Sequence, residues 1–126
     1  MGFLRRVYTN ENRDFTALAG AGGVTGAKAV RFSAASGIKP TVLMGAAAVR
    51  PFGVAEYDAA AGEEVNIVKG GVVRMRAGGA VTAGGYVVAD AAGDVVNGTA
   101  LDANALGRAW TTGVSGDEVI IDLDDK

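Results

Sequence analysis

The 126-residue sequence contains neither cysteine nor histidine. Their absence excludes disulfide bonds, thiol nucleophiles, zinc sites built from cysteine or histidine, and any histidine-based catalytic triad. Aromatic residues make up only 6% of the chain, so large side chains for a core or a broad aromatic platform are scarce. These absences disfavour most enzyme classes.

Long apolar runs are missing as well. Arg5 and Arg6 lie near the start, but they are not followed by the run of about seven apolar residues that a secretion signal needs. No stretch of roughly 18 apolar residues is available to cross a bilayer. We therefore expect a soluble protein that is made in the cytoplasm and does not bind membranes.

Small residues dominate what is present. The chain has 20 glycines, 24 alanines and 17 valines, which together fill nearly half of its positions. A core of such side chains is thin, so a lone monomer is expected to be marginally stable and self-association is favoured.

Charge is unevenly distributed behind a net value of −2. Residues 1–50 carry seven basic and two acidic residues (+5), whereas residues 51–126 carry five basic and twelve acidic residues (−7). The asymmetry is either chance clustering on a solvated surface or a basic front segment that docks on an acidic partner. A pI near 5.0, with no Lys/Arg run interleaved with aromatic residues, argues against nucleic acid as a partner.

Residues 1–14 show no clean period and are interpreted as an extended N-terminal arm, followed by one domain over residues 15–126. The arm carries much apolar surface for a free tail, which predicts that it lies on its own barrel, on a sister subunit or on another partner. Its apolar residues are Phe3, Leu4, Val7 and Tyr8.

The rest of the chain consists of short segments in which apolar and polar residues alternate with a period near two. Within residues 73–76, apolar and basic residues alternate, so Val73 and Met75 are expected to face inward and both arginines outward. Gly-Gly and Asn-Gly turn signals separate such segments at intervals of roughly 8–12 residues. This pattern predicts an all-β fold, a small barrel or sandwich.

Residues 52–67 and 106–121 align without gaps at a constant offset, sharing glycine, alanine, glutamate, valine and isoleucine at equivalent positions. Each copy predicts a hairpin, and we expect the two hairpins to pack face to face as one closed barrel. Small residues at 53, 55, 107 and 109 predict close backbone approach. The alternative is convergence of two Ala/Gly-rich hairpins by composition.

No catalytic, cofactor or metal site is predicted. The paired carboxylates Glu63–Glu64 and Asp117–Glu118 lie on opposite strand faces beside turns, where acids are usually only solvated. The sole tryptophan, Trp110, is predicted to be either a core residue or an interface anchor. The inventory favours an assembly or binding protein over an enzyme.

Residues 52–96 resemble the capsid decoration (cement) proteins of tailed bacteriophages. The likeness lies in a "GVA…DAAAGEEV" hairpin, a "GGVV" strand, an "AGGAVTAGGYVVAD" segment and a closing "LGRAWTTGVSGDEVIIDL". Residues 14–26 are similar to the entry segment of decoration proteins from phages that infect actinobacteria. The resemblance covers about residues 14–123.

The resemblance implies a small β-barrel or β-tulip-like domain without enzymatic activity. It would bind the outer face of the expanded head, commonly as a homotrimer at three-fold and quasi-three-fold positions, and bridge major capsid subunits. Its location would be the outer capsid surface of the virion. We expect deletion of residues 1–13 to leave the barrel folded and to weaken binding. The residues expected at the capsid or subunit interface are Phe3, Leu4, Arg5, Arg6, Val7, Tyr8 and Trp110.

A second hypothesis is a small glycan- or ligand-binding β-barrel on a virion or cell envelope. It needs a pocket or an exposed aromatic platform, and the chain has few residues for one. Its only Trp or Tyr residues are Tyr8, Tyr57, Tyr86 and Trp110.

Overall fold

A computed structural model describes residues 3–8, 14–36, 39–99 and 103–125. These residues form strands and no helix, which confirms the predicted all-β class and the barrel. None of the described residues belongs to a helix that could traverse a membrane. The strands are β1 (Arg5–Tyr8), β2 (Asp14–Ala19), β3 (Ala29–Ser36), β4 (Lys39–Met44), β5 (Gly53–Ala55), β6 (Glu64–Val68), β7 (Val72–Arg76), β8 (Tyr86–Ala89), β9 (Val95–Asn97), β10 (Gly107–Ala109) and β11 (Glu118–Asp122).

Strands β2 to β6, residues 14–68, form the first unit. They close into a barrel in the order β2-β4-β3-β5-β6. All of its neighbouring strands are antiparallel except β2 and β4, which run parallel. The barrel interior is filled by small apolar side chains, as the composition predicts: Ala17, Ala19, Val24, Val30, Val42, Ala55, Ala59, Val65 and Ile67.

Strands β7 to β11, residues 72–122, form the second unit, which belongs to a six-stranded sheet in the order β1-β7-β11-β10-β8-β9. A parallel bridge between Ala77 and Val95 places β9, the last strand of this sheet, beside the end of β7. Its core also takes in Leu4 from the N-terminal segment and Ala29, Val54 and Val68 from the first unit. The two units therefore share apolar packing.

The internal repeat of the sequence is confirmed as two structurally equivalent hairpins. In β5–β6, Ala55 pairs with Ile67; in β10–β11, Ala109 pairs with Ile121. Both members of the pair are shifted by the same 54 positions along the chain. The expectation that the hairpins pack into one barrel is wrong, because each hairpin pairs with its own neighbouring strands in a separate sheet.

The equivalence extends beyond the hairpins. β2 pairs with β6 as β7 pairs with β11, and β3 pairs with β5 as β8 pairs with β10. The parallel pairing of Ala19 with Val42 in the first unit has its counterpart in the Ala77–Val95 bridge of the second. The described chain is thus a duplication of one five-stranded motif, with β1 added to the second copy.

Close backbone approach, predicted from the small residues, occurs at Gly53 and Gly107. A Cβ atom at Gly53 would lie 2.6 Å from the Ile67 Cγ2 atom, and one at Gly107 would lie 2.3 Å from the Asp122 backbone oxygen. A side chain at Gly107 would press on the backbone of the partner strand, whereas one at Gly53 would first press on a side chain of that strand. Glycine is therefore favoured at the same place in both hairpins, and more strongly at Gly107.

Candidate docking surface

The N-terminal segment is attached to its own chain. Strand β1 pairs antiparallel with β7, and its register shifts between Arg6 and Tyr8. The Leu4 backbone N–H donates to the Glu56 carbonyl oxygen at 2.7 Å, and the Leu4 side chain is buried in the core shared by both units. Among the three supports considered for the arm, residues 4–8 use their own domain. Residues 1–2 and 9–13 lie outside the described part of the chain.

Arg6 connects β1 to the first unit. Its Nη2 atom donates to Asp14 Oδ2 at 2.7 Å and to Glu56 Oε2 at 2.9 Å. The Asn66 side-chain amide donates to Glu56 Oε1 at 2.9 Å and to Asp14 Oδ2 at 3.3 Å. The Arg6 side chain is only 18% exposed. These four side chains, the Arg6 cluster, lie within one chain, so Arg6 is engaged internally.

The charges of this cluster support each other. Burial alone would lower the pKa of Arg6, but hydrogen bonds and attraction from Asp14 and Glu56 outweigh it and raise the pKa. Arg6 is therefore a permanent cation between two carboxylates. Asp14 Oδ1 has no hydrogen-bond partner among the described residues, which makes Asp14 more dependent on Arg6.

Tyr8 and Trp110 form an exposed aromatic pair on the second unit. Their ring centroids are 6.0 Å apart and the ring planes are inclined by 57°. Tyr8 is 62% exposed and Trp110 is 46% exposed, so Trp110 is not a core residue. Exposed tryptophan and tyrosine side chains are the types most enriched among the energetic anchors of protein interfaces.

These two rings belong to a larger surface, the outer face of the six-stranded sheet. Alternation buries Val73, Met75, Val119 and Ile121 and turns their neighbours outward. Cross-strand pairing aligns Tyr8, Val72, Asp122, Arg108 and Tyr86 in one row and Arg5, Arg74 and Ile120 in another. The outer face consists of Arg5, Tyr8, Arg74, Arg76, Tyr86, Arg108, Trp110, Glu118, Ile120 and Asp122, and Val72 lies in one of its rows but is buried.

Beside the aromatic pair, the outer face contains an arginine cleft of about 210 Å³. Arg5 forms an ion pair with Glu118, and the Arg74 Nη1 atom lies 3.9 Å from the same carboxylate. Arg76 reaches Asp94 at 4.0 Å and is 64% exposed. The residues that line the cleft are Phe3, Arg5, Ala27, Arg74, Met75, Arg76, Gly116 and Glu118.

The predicted interface residues therefore occupy different environments. Arg5, Tyr8 and Trp110 lie on the outer face, and Phe3 lines the cleft with 73% of its surface exposed. Val7 is half-buried within β1. Leu4 and Arg6 face the interior, Leu4 in the shared core and Arg6 in its cluster.

The sequence interpretation missed the members of this face that lie on β7, β8, β10 and β11. For β7 a signal was present, because the alternation within residues 73–76 already placed Arg74 and Arg76 outward. The missing information was the pairing of β1 with β7, which joins the arm residues and these arginines on one face. Tyr86 and Arg108 carried no comparable signal.

A second aromatic cluster lies on the first unit. The ring of Phe52 contacts those of Phe15 and Phe32 with centroid distances of 5.1 and 5.4 Å. Lys69 Nζ lies 4.5 Å from the Phe52 centroid. Phe32 is 49% exposed, so this cluster offers an exposed apolar patch on the first unit.

The paired carboxylates have structural roles at the turns. Glu63 accepts a hydrogen bond from the Ala60 backbone N–H at 2.8 Å, and Asp117 accepts one from the Val114 N–H at 2.9 Å. Glu64 and Glu118 form ion pairs with Lys39 and with Arg5. The described residues contain no group of three or more acidic side chains arranged to hold a metal ion.

An all-β duplication with an exposed aromatic and arginine-rich face has the features of a structural binding module. The family model for phage cement proteins matches residues 8–123, and the chain belongs to that family. The base of head fiber gp8.5 of bacteriophage phi29 has a similar fold, with a TM-score of 0.69 at 21% identity over 86% of this chain and 91% of that one. No curated protein matches the chain. The protein is thus a structural component of the phage head, located on the capsid of the virion.

Proposed function

We propose that this protein binds the outer surface of the expanded head and stabilises it by bridging neighbouring major capsid subunits, without catalysing a reaction. The observation that carries this proposal is the exposed Tyr8–Trp110 pair on an arginine-rich sheet face. Aromatic and arginine side chains are enriched where proteins bind proteins. A cement protein with such a face has a surface suited to the shell.

Bridging requires contact surfaces for more than one subunit. The outer face of the second unit offers the first of them. The cluster around Phe32 on the first unit offers another. Because Ala29, Val54 and Val68 of the first unit pack into the core of the second, a force on one surface is transmitted to the other through packed side chains.

We further propose a homotrimer at the three-fold and quasi-three-fold positions of the head. The chain's core is built from alanine, valine and a few larger residues, so association adds apolar burial that each monomer lacks. Sedimentation analysis of the free protein tests whether the trimer exists before docking. A strictly monomeric protein that occupies the head in single copies contradicts this part of the proposal.

Co-sedimentation with mature, undecorated heads of the source phage tests the function directly. The expected result is saturable binding at a fixed ratio, near three copies for each three-fold position. Absence of binding to expanded heads contradicts the proposal. Deletion of residues 1–13 is not a clean companion test, since it also removes Leu4 from the core and Arg6 from its cluster.

Binding of a glycan or small ligand is the second candidate, and the exposed Tyr8–Trp110 pair is the observation that favours it. Trp110 is the sole tryptophan, so its fluorescence reports on this surface alone. A saturable shift of that fluorescence with a glycan, without binding to heads, would move this candidate to first place.

A further inference from the structure

The charge balance of the arginine cleft is the starting point. Arg5, Arg74 and Arg76 line the cleft with one carboxylate, Glu118. Glu118 serves two of them, because it pairs with Arg5 and lies 3.9 Å from Arg74. One carboxylate shared by two guanidinium groups leaves positive charge in the cleft.

Arg76 adds to this excess. The carboxylate that it reaches among the described residues is that of Asp94, at 4.0 Å, the limit of an ion pair. Asp94 is already paired with Lys28 and its side chain is only 10% exposed. Arg76 itself is 64% exposed, so its guanidinium group has free donor positions directed at solvent.

The cleft is continuous with the apolar part of the outer face. Arg5 and Arg74 are opposite each other across β1 and β7, and Ile120 follows in the same row on β11. The Trp110 backbone N–H bonds to the Ile120 carbonyl oxygen at 2.8 Å, which places the aromatic pair beside that row. A single partner segment can therefore contact the aromatic rings and the arginines together.

We propose that the outer face binds an acidic segment of the head's major shell protein. Tyr8 and Trp110 supply the apolar anchor, and Arg5, Arg74 and Arg76 bind the carboxylates. This inference rests on the proposed function and adds which surface binds and which charge its partner carries. Guanidinium groups bind carboxylates with two parallel hydrogen bonds, which gives orientation as well as attraction.

The charges favour this occupant over a two-fold contact between copies and over a nucleic acid. If two copies paired through this face about a two-fold axis, the arginines of one would meet those of the other. A nucleic acid carries a continuous row of phosphates, which would also meet Glu118 and Asp122 on the same face. A short acidic protein segment needs carboxylates only opposite the arginines and apolar side chains opposite the aromatic pair, so it avoids both conflicts.

The test compares the intact protein with two variants by co-sedimentation with undecorated heads at low and high salt. The double variant R74Q/R76Q removes two charges from the cleft. The variant R50Q is the control for loss of a single arginine charge elsewhere, because Arg50 is an exposed arginine between β4 and β5, outside the six-stranded sheet. Both changed arginines of the double variant are at least 40% exposed, so its melting temperature should stay near that of the intact protein.

We expect R74Q/R76Q to bind heads about tenfold more weakly at low salt, with a smaller salt dependence than the intact protein. R50Q should bind like the intact protein. Equal binding by the double variant and R50Q overturns the proposed face while leaving head binding in place. Failure of the intact protein to bind heads overturns the proposed function and this inference with it.

Two further outcomes identify another occupant. If R74Q/R76Q changes the sedimentation coefficient of the free protein and not its binding to heads, the face is a contact between copies. If the intact protein binds a DNA oligomer at physiological salt and R74Q/R76Q does not, the face is a phosphate site. Either result overturns the inference.

Discussion

Equivalent positions in the two units carry side chains of opposite character. The Glu56 N–H bonds to the Asn66 carbonyl in the first unit, and the Trp110 N–H bonds to the Ile120 carbonyl in the second. Glu56 and Asn66 in the first unit thus correspond to Trp110 and Ile120 in the second. The same backbone presents a polar patch on one copy and an apolar patch on the other.

Strand β1 contacts both patches, but it satisfies the polar patch with hydrogen bonds and leaves the apolar patch partly exposed. Arg6 completes the polar patch with hydrogen bonds of 2.7 and 2.9 Å. Tyr8 only partly covers the apolar patch, since both aromatic rings stay about half exposed. The duplication has therefore separated two tasks: the first copy binds the N-terminal strand through polar side chains, and the second, which pairs with the backbone of that strand, keeps an apolar surface exposed.

The largest effect is expected where the two copies are most alike, at Gly53 and Gly107. Gly107→Ala drives a Cβ atom against the Asp122 backbone and should cost about 3 kcal/mol of unfolding free energy. Gly53→Ala meets the end of the Ile67 side chain first, which is able to shift, so about 1.5 kcal/mol is expected. Urea unfolding measures both.

The surface variant Val114→Ala is the control for the glycine substitutions, because Val114 is 64% exposed and should change stability by less than about 0.5 kcal/mol. A loss at Gly53 as large as that at Gly107 would show that the β5–β6 hairpin is as unyielding as the β10–β11 hairpin. No loss at either position would contradict the close approach of the hairpin strands.

The polar patch is tested by Arg6→Ala. It leaves Asp14 and Glu56 without their cation, and we expect a loss of about 2 kcal/mol, less than for a fully buried pair because all three groups are partly exposed. Arg5→Ala on the same strand is the control, since Arg5 is 64% exposed and its ion pair should contribute less than about 1 kcal/mol. Equal losses for the two variants would contradict the role assigned to Arg6.

The apolar patch is tested by Trp110→Ala. Because Trp110 is half exposed, the unfolding free energy should fall by less than about 1 kcal/mol. Head binding should weaken at least about tenfold, as for an interface anchor, and co-sedimentation measures it. Phe32→Ala is the comparison on the first unit: a larger binding defect there than at Trp110 would reverse the roles given to the two copies.

Local sequence patterns predicted much of this architecture. The pairing between strands that are distant in the sequence could not be predicted from them. Alternation over residues 73–76 predicted the inward and outward sides of β7, and the repeat predicted both hairpins with their register. The assignment of each hairpin to its own sheet depends on contacts between distant strands, which no local period reports. Arg6 was predicted to lie at the capsid or subunit interface, and no local pattern reported that Asp14 on β2 and Glu56 next to β5 bind its side chain.

The smallest expected effects concern the turns that both copies share. Glu63→Ala and Asp117→Ala each remove a side-chain hydrogen bond to a turn N–H, at 2.8 and 2.9 Å, and each should cost about 1 kcal/mol. Because the two turns belong to different units, the double variant should lose the sum of the single losses within about 0.5 kcal/mol. Urea unfolding of the three variants provides the cycle. A coupling free energy above about 0.5 kcal/mol would mean that the two turns affect each other through the packed core between the units. The two copies would then be less independent than their side chains indicate.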